Sequence, residues 1–114
     1  MDFEASMQMN IERSIIASYV YFEQVGVWGQ EKPLTIDCEL FTIPFHKRIM
    51  EKANQTIKKD DSLSLLFLDI QEKVEGTYYE DLWIYILATN PLDKHAFKKY
   101  LEVLKIRKIR RELG

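Results

Sequence analysis

Residues 94–113 read KHAFKKYLEVLKIRKIRREL, 20 residues with no glycine or proline, preceded by Asp93 as a cap and followed by Gly114. Phe97, Tyr100, Leu101 and Leu104, with the stem of Lys108, recur at the three- and four-residue spacing of one helix face. Val103, Ile106, Ile109 and Leu113 line a second side. A helix that is apolar on two sides carries more than one small core needs. At about 25 cal/mol per Å² of apolar area, leaving Ile106 and Ile109 in water forfeits about 1.5–3 kcal/mol each relative to burial. The expected cover is another helix, another subunit or further chain.

Working back from this helix, the same periodicity continues. Only four glycines and three prolines punctuate the chain, and they fall between apolar-periodic stretches. Asn10 opens a helix, or follows its start by a turn or two, with Ile11, Ile15, Tyr19 and Phe22 in a stripe widened by Ile16 and Val20. Gly26 and Gly29 bracket Val27-Trp28, so that helix should end near Val25. Residues 26–36 read as a loop closed by Pro33, and Thr35 or Asp37 caps a short helical turn through Phe41. Pro44 suits the first turn of the next helix, where its missing N–H has no partner to lose. Phe45, Ile49, Met50, Ala53 and Ile57 mark its buried face. Asp60-Asp61-Ser62 ends it and caps a helix carrying Leu65, Leu66, Ile70 and Val74 as far as Gly76. Tyr79, Leu82, Trp83, Ile86 and Leu87 form another, broken at Asn90-Pro91. No stretch alternates with period two between hairpin turns. The expected fold is all-α: one domain over 1–114, a bundle of five or six helices. Its globular part covers about 6–92 and its long C-terminal helix about 94–113.

The chain has 114 residues, 46% hydrophobic and 12% aromatic, which suffices for one core and excludes an intrinsically disordered chain. A single cysteine, Cys38, allows no internal disulfide and suits a reducing compartment. No apolar run approaches the ~18 residues of a membrane span, and the acidic start Met1-Asp2-Phe3-Glu4 reads as no leader. A soluble, cytoplasmic protein without membrane contact is expected. The net charge of −2 hides an asymmetry: residues 1–93 hold 8 Lys and Arg against 16 Asp and Glu, residues 94–114 hold 8 against 2. The body is therefore at −8 and the end at +6. The basic end is either the solvated face of a long helix or a surface for phosphate or an acidic protein face.

Signs of catalysis are sparse. Gly26 and Gly29 precede no basic or hydroxyl anchor for a phosphate. Cys38 and His46 lack a third, orienting group, and His46 and His95 form no i, i+4 ligand pair. The carboxylates cluster at helix starts, where the helix dipole accounts for them. No catalytic, metal or cofactor residue is assigned, and a non-enzyme is expected. Tyr19, Phe22 and Trp83 read as core, while Tyr21 and Tyr85 divide between partner contact and ordinary surface. Lys105, Arg107, Lys108, Arg110 and Arg111 alternate with the apolar positions of the last helix. That end lacks the stacking aromatics of a nucleic-acid site, so protein contact is favoured over weak or indirect DNA contact. The candidate contact residues are Leu101, Leu104, Ile106, Ile109 and Leu113, with Arg107 and Arg110 at the rim.

Four segments, in order, carry a resemblance. Asn10-Ile11-Glu12-Arg13-Ser14-Ile15-Ile16-Ala17-Ser18 sets an acidic residue before an apolar run ending in a small pair. Phe41-Thr42-Ile43-Pro44-Phe45-His46-Lys47-Arg48-Ile49 follows the pattern aromatic–x–x–Pro–x–His–x–x–apolar, and Ala88-Thr89-Asn90-Pro91 makes a polar turn before the last helix. Tyr100 to Leu113 finishes with Arg110-Arg111-Glu112-Leu113. Together they resemble the N-terminal domain of the bacterial replicative helicase, the DnaB family. Two departures are plain: Leu40 stands where the family has an acidic residue, and Val25–Ile36 is longer and carries Trp28. The resemblance implies that the last helix belongs to a helical hairpin, whose return helix is not among these residues. It also implies a non-catalytic module that self-associates into a collar and contacts primase, and possibly the helicase loader. ATP and Mg would belong to a separate motor domain. The helicase-binding C-terminal domain of primase shares this helical fold, and it or a phage or plasmid helicase-binding protein is the alternative. A nucleic-acid-binding domain using the basic helix is the third reading.

Overall fold

The first helix, α1, spans Phe3–Val25 in the computed structural model, which describes residues 3–28 and 33–114. Ile15, Ile16, Tyr19, Val20 and Phe22 are buried, so α1 is covered over much of its circumference. A helix buried that widely lies at the centre, and the other four pack around it: α2 (Pro44–Lys58), α3 (Leu63–Val74), α4 (Tyr79–Ala88) and α5 (Lys94–Leu113). The described residues are all-helical, five α-helices and a 3-10 turn at Cys38–Leu40, as the periodicity implied.

Local chemistry sets the ends. Gly26 takes φ +69, a left-handed conformation that costs glycine nothing, and α1 stops beside it. Gly29, expected to share that role, lies outside the described residues. Asp37 accepts the N–H of Glu39 to cap the 3-10 turn. Ser62 accepts from Leu65 and Asp93 from Ala96, capping α3 and α5. Pro44 opens α2, and Asp60 leaves it with φ 60, a conformation aspartate tolerates better than most residues. Loops are tied by side chains to the frame. Asn54 on α2 clasps Ile36, accepting its N–H at 3.0 Å and donating to its carbonyl at 2.7 Å. The Tyr19 hydroxyl donates to the Leu34 carbonyl. The Ser18 hydroxyl accepts the N–H of Leu92 at 2.8 Å and so pins the α4–α5 connection to α1.

Aromatic rings seat α5 on α1. Phe97 meets Phe22 edge-on at 5.3 Å and tilts against Tyr19 at 6.2 Å, and Trp28 closes the cluster at 5.5 Å from both Tyr19 and Phe22. The long helix is thus part of the packed body, with Phe97 and Leu104 buried in it. The radius of gyration, 13.9 Å, is close to the roughly 13 Å of a single domain this long.

One buried stripe differs from the sequence reading. α3 turns Leu63, Phe67, Ile70 and Val74 inward and leaves Leu65 exposed, with Leu66 half-buried. Phe67 sits 6.4 Å from Trp83, and putting that large ring in the core fixes the rotation of α3, with Leu65 on the far side. On α4 only Trp83 and Ile86 are fully buried, and Leu87 and Tyr79 face out. Among the described residues no helix is long and apolar enough to cross a membrane.

Candidate functional site

Successive residues of a helix lie about 100° apart, which places the exposed apolar residues at the end of α5. Phe97 and Leu104 define its buried face. Ile106, Ile109 and Leu113 fall within about 60° of one another, on an arc centred about 180° from that face. They are 49%, 54% and 84% exposed, with Val103 beside them at 38%. Arg110 flanks the strip and has no side-chain partner among the described residues.

Three expected contact residues are not on this strip. Leu104 is 0% exposed and Leu101 half-buried, both packed with the subunit's own core. Arg107 is no rim residue. Its Nε donates to Gln8 Oε1 at 2.6 Å, and its Nη2 donates to the Glu4 carbonyl at 2.8 Å and pairs with the Glu4 carboxylate at 3.0 Å. The physical reason is angular: position 107 lies on the α1 side of the helix, some 60° from Leu104. Lys108, on the other edge of the buried face, reaches Asp37 Oδ2 at 3.1 Å.

Gln8 continues the Arg107 bond inward. Its amide nitrogen donates to Glu12 at 2.7 Å, and Glu12 is wholly buried. The Glu12 carboxylate also accepts the Thr42 N–H (2.9 Å), the Thr42 hydroxyl (2.7 Å), the Ile43 N–H (3.2 Å) and His46 Nδ1–H (3.1 Å). Ile43 is the N-cap of α2 and has no side chain to cap with. Glu12 instead holds the two N–H groups that lead into α2, with its charge near the positive end of the α2 dipole. Burial alone would raise its pKa. The donors from His46, Thr42 and Gln8 outweigh burial and hold the carboxyl below its ordinary range.

A histidine beside a carboxylate invites a catalytic reading, yet both side chains are shut from solvent and five donors converge on Glu12. The pair locks α1 to α2. Half-buried Cys38 lies in the 3-10 turn, with no hydrogen bond to His46, and His95 is exposed on α5. Tyr19, Phe22 and Trp83 are core residues, as expected; Tyr21 and Tyr85 are exposed. Tyr85 already carries the Arg13 guanidinium 5.5 Å over its ring.

The linked Arg107–Gln8–Glu12 chain was missed in the residue reading, although a signal existed. Gln8 and Glu12 occupy the same i, i+4, i+7 stripe as Ile15, and polar residues in a core stripe must find buried partners. No protein-family model matches the chain, and comparison with curated proteins and with solved structures returns no match.

Proposed function

We propose that the chain is a non-catalytic protein-association domain that docks through the outer face of α5. Ile106, Ile109 and Leu113, exposed opposite the buried face, carry this reading. They span about 10 Å of helix, enough for one crossing partner helix. In an isologous pair Ile109 would lie near the two-fold axis, with Ile106 of one copy against Leu113 of the other. The finer proposal is a collar domain of a DnaB-type replicative helicase, meeting itself and primase in the cytoplasm. It is supported by the sequence likeness of the four segments alone.

Charge sharpens the partner question. Residues 94–114 carry 8 Lys and Arg against 2 Asp and Glu, so two copies of α5 repel across an isologous contact. Self-association should therefore tighten as salt rises, because the repulsion is screened within about 10 Å at 0.1 M. Contact with an acidic partner should loosen instead. Sedimentation at about 100 μM protein, in low and high salt, reads this directly. Wild type is expected to associate, and Ile106→Glu with Ile109→Glu to give a folded monomer. A wild-type monomer at both salts overturns self-association, and a failure to bind primase's helicase-binding domain overturns the primosome assignment. DNA affinity falling by about one power of salt per phosphate contact would favour the nucleic-acid reading.

A further inference from the structure

A second surface, remote in sequence from the α5 strip, has a more definite chemistry. Between α2, α3 and the start of α4 lies an open cleft of about 310 Å³. Its floor is aliphatic, Ile49 and Ile70 among it, and one wall is Phe45 stacked on the exposed Tyr79, with ring centroids 5.3 Å apart and planes at 15°. Arg48, Lys52 and Lys73 line it, and among the described residues no carboxylate does. This occurs in a body, residues 1–93, where Asp and Glu outnumber Lys and Arg 16 to 8.

The cations are not spent on the fold. Lys47, one residue away, is committed to Glu39 at 3.0 Å. Arg48 and Lys52, four apart on one face of α2, have no hydrogen-bond or ion-pair partner among the described residues. Among the described residues Lys73 pairs only with Asp69, its half-buried neighbour one turn back. We infer that this cleft docks an acidic peptide segment of a partner protein, with one apolar side chain seated against Phe45 and Tyr79 and flanking carboxylates on Arg48 and Lys52.

Both halves of that chemistry are needed. The volume is at the small end of the roughly 300–1,000 Å³ of ligand pockets and suits one or two side chains. Arg48 offers the planar fork that takes a carboxylate in two parallel bonds, and a contact beside apolar surface is screened less than one in open water. A phosphate is a poorer occupant. Helix starts hold phosphates through runs of free N–H groups, and at the start of α2 that run is shortened, because Thr42 and Ile43 give theirs to Glu12 and Pro44 has none.

The test pans a random dodecapeptide display library against the intact protein, with counter-selection on the Arg48→Glu/Lys52→Glu variant. Recovered sequences should set two or more Asp or Glu beside Leu, Phe or Trp. Synthetic copies should weaken about tenfold or more on the charge-reversed variant and severalfold on Tyr79→Ser, both variants keeping the wild-type circular dichroism. Amide shifts on binding should gather at residues 45–52, 70–74 and 79. The inference is overturned if nothing is enriched, if enriched peptides lack acidic residues, if the variant binds equally, or if the shifts fall on α5. It is also overturned if ATP or inorganic phosphate at about 1 mM displaces the peptide and shifts the same amides, which makes the cleft a small-anion site. Since separate residues carry the two surfaces, loss of the α5 association would leave this result standing.

Discussion

The α1–α2 junction and the end of α5 break the rule of apolar inside and polar outside in opposite senses. At the junction a carboxylate is buried, and every unfavourable consequence is answered: five donors converge on Glu12, and its charge lies at the positive end of α2. At the end of α5 isoleucines stand in water, and nothing among the described residues answers them. A violation compensated internally is a structural device, whereas one left uncompensated is a reason to look for a partner. Stability and association should therefore separate cleanly between the two regions.

The largest effect is expected at the junction. Glu12→Ala takes the shared acceptor from five donors on α1, α2 and the segment between, two of them on buried side chains, and denaturant melts should show a loss of about 3–5 kcal/mol. A loss under ~1 kcal/mol would mean that water replaces the carboxylate and that the junction is no lock. The same group makes stability acid-sensitive. Its pKa is lowered from 4.5, so its contribution is complete above that value and is lost as pH falls through the lower, folded-state pKa. A Glu12→Gln protein should lack that part of the acid transition, read as the pH dependence of the melting temperature.

Next comes the buried side of α5. Leu104→Ala should cost about 2–5 kcal/mol through the cavity it opens, with the oligomeric state measured below the melting point unchanged. Smallest of all in stability is the outer side. Ile109→Ala should move the monomer's stability by no more than about 0.5 kcal/mol, while weakening association in sedimentation. If the two leucine and isoleucine changes proved equally destabilising in a monomeric protein, the two faces of α5 would not differ as described.

Much of the fold was legible in the residues because helix boundaries are local events. Gly26, Pro44, Ser62 and Asp93 act within four residues of where they stand, and each does what its type dictates. The inner stripes of α1 and α2 followed for the same reason, apart from Ile11 and Phe45, which are half-buried. Leu65 was misread because α3 has apolar residues on more than one side, so periodicity leaves its rotation open. The candidate strip was only half legible: two apolar sides of α5 could be recognised, but Leu104 and Arg107 could not be assigned to the inner one.

The sequence alone thus determined that this chain is helical, where its helices start and stop apart from the first start, which lies at Phe3, and that its last helix carries surplus apolar surface. Propensity, capping and spacing are properties of neighbours, and neighbours are written in order. Only the tertiary structure decided which polar groups are buried and which apolar groups are left out. Glu12 meets Thr42 and His46 across 30 and 34 residues, and Arg107 meets Gln8 across 99. Partners that far apart are chosen by how whole helices pack, and no local pattern encodes that choice.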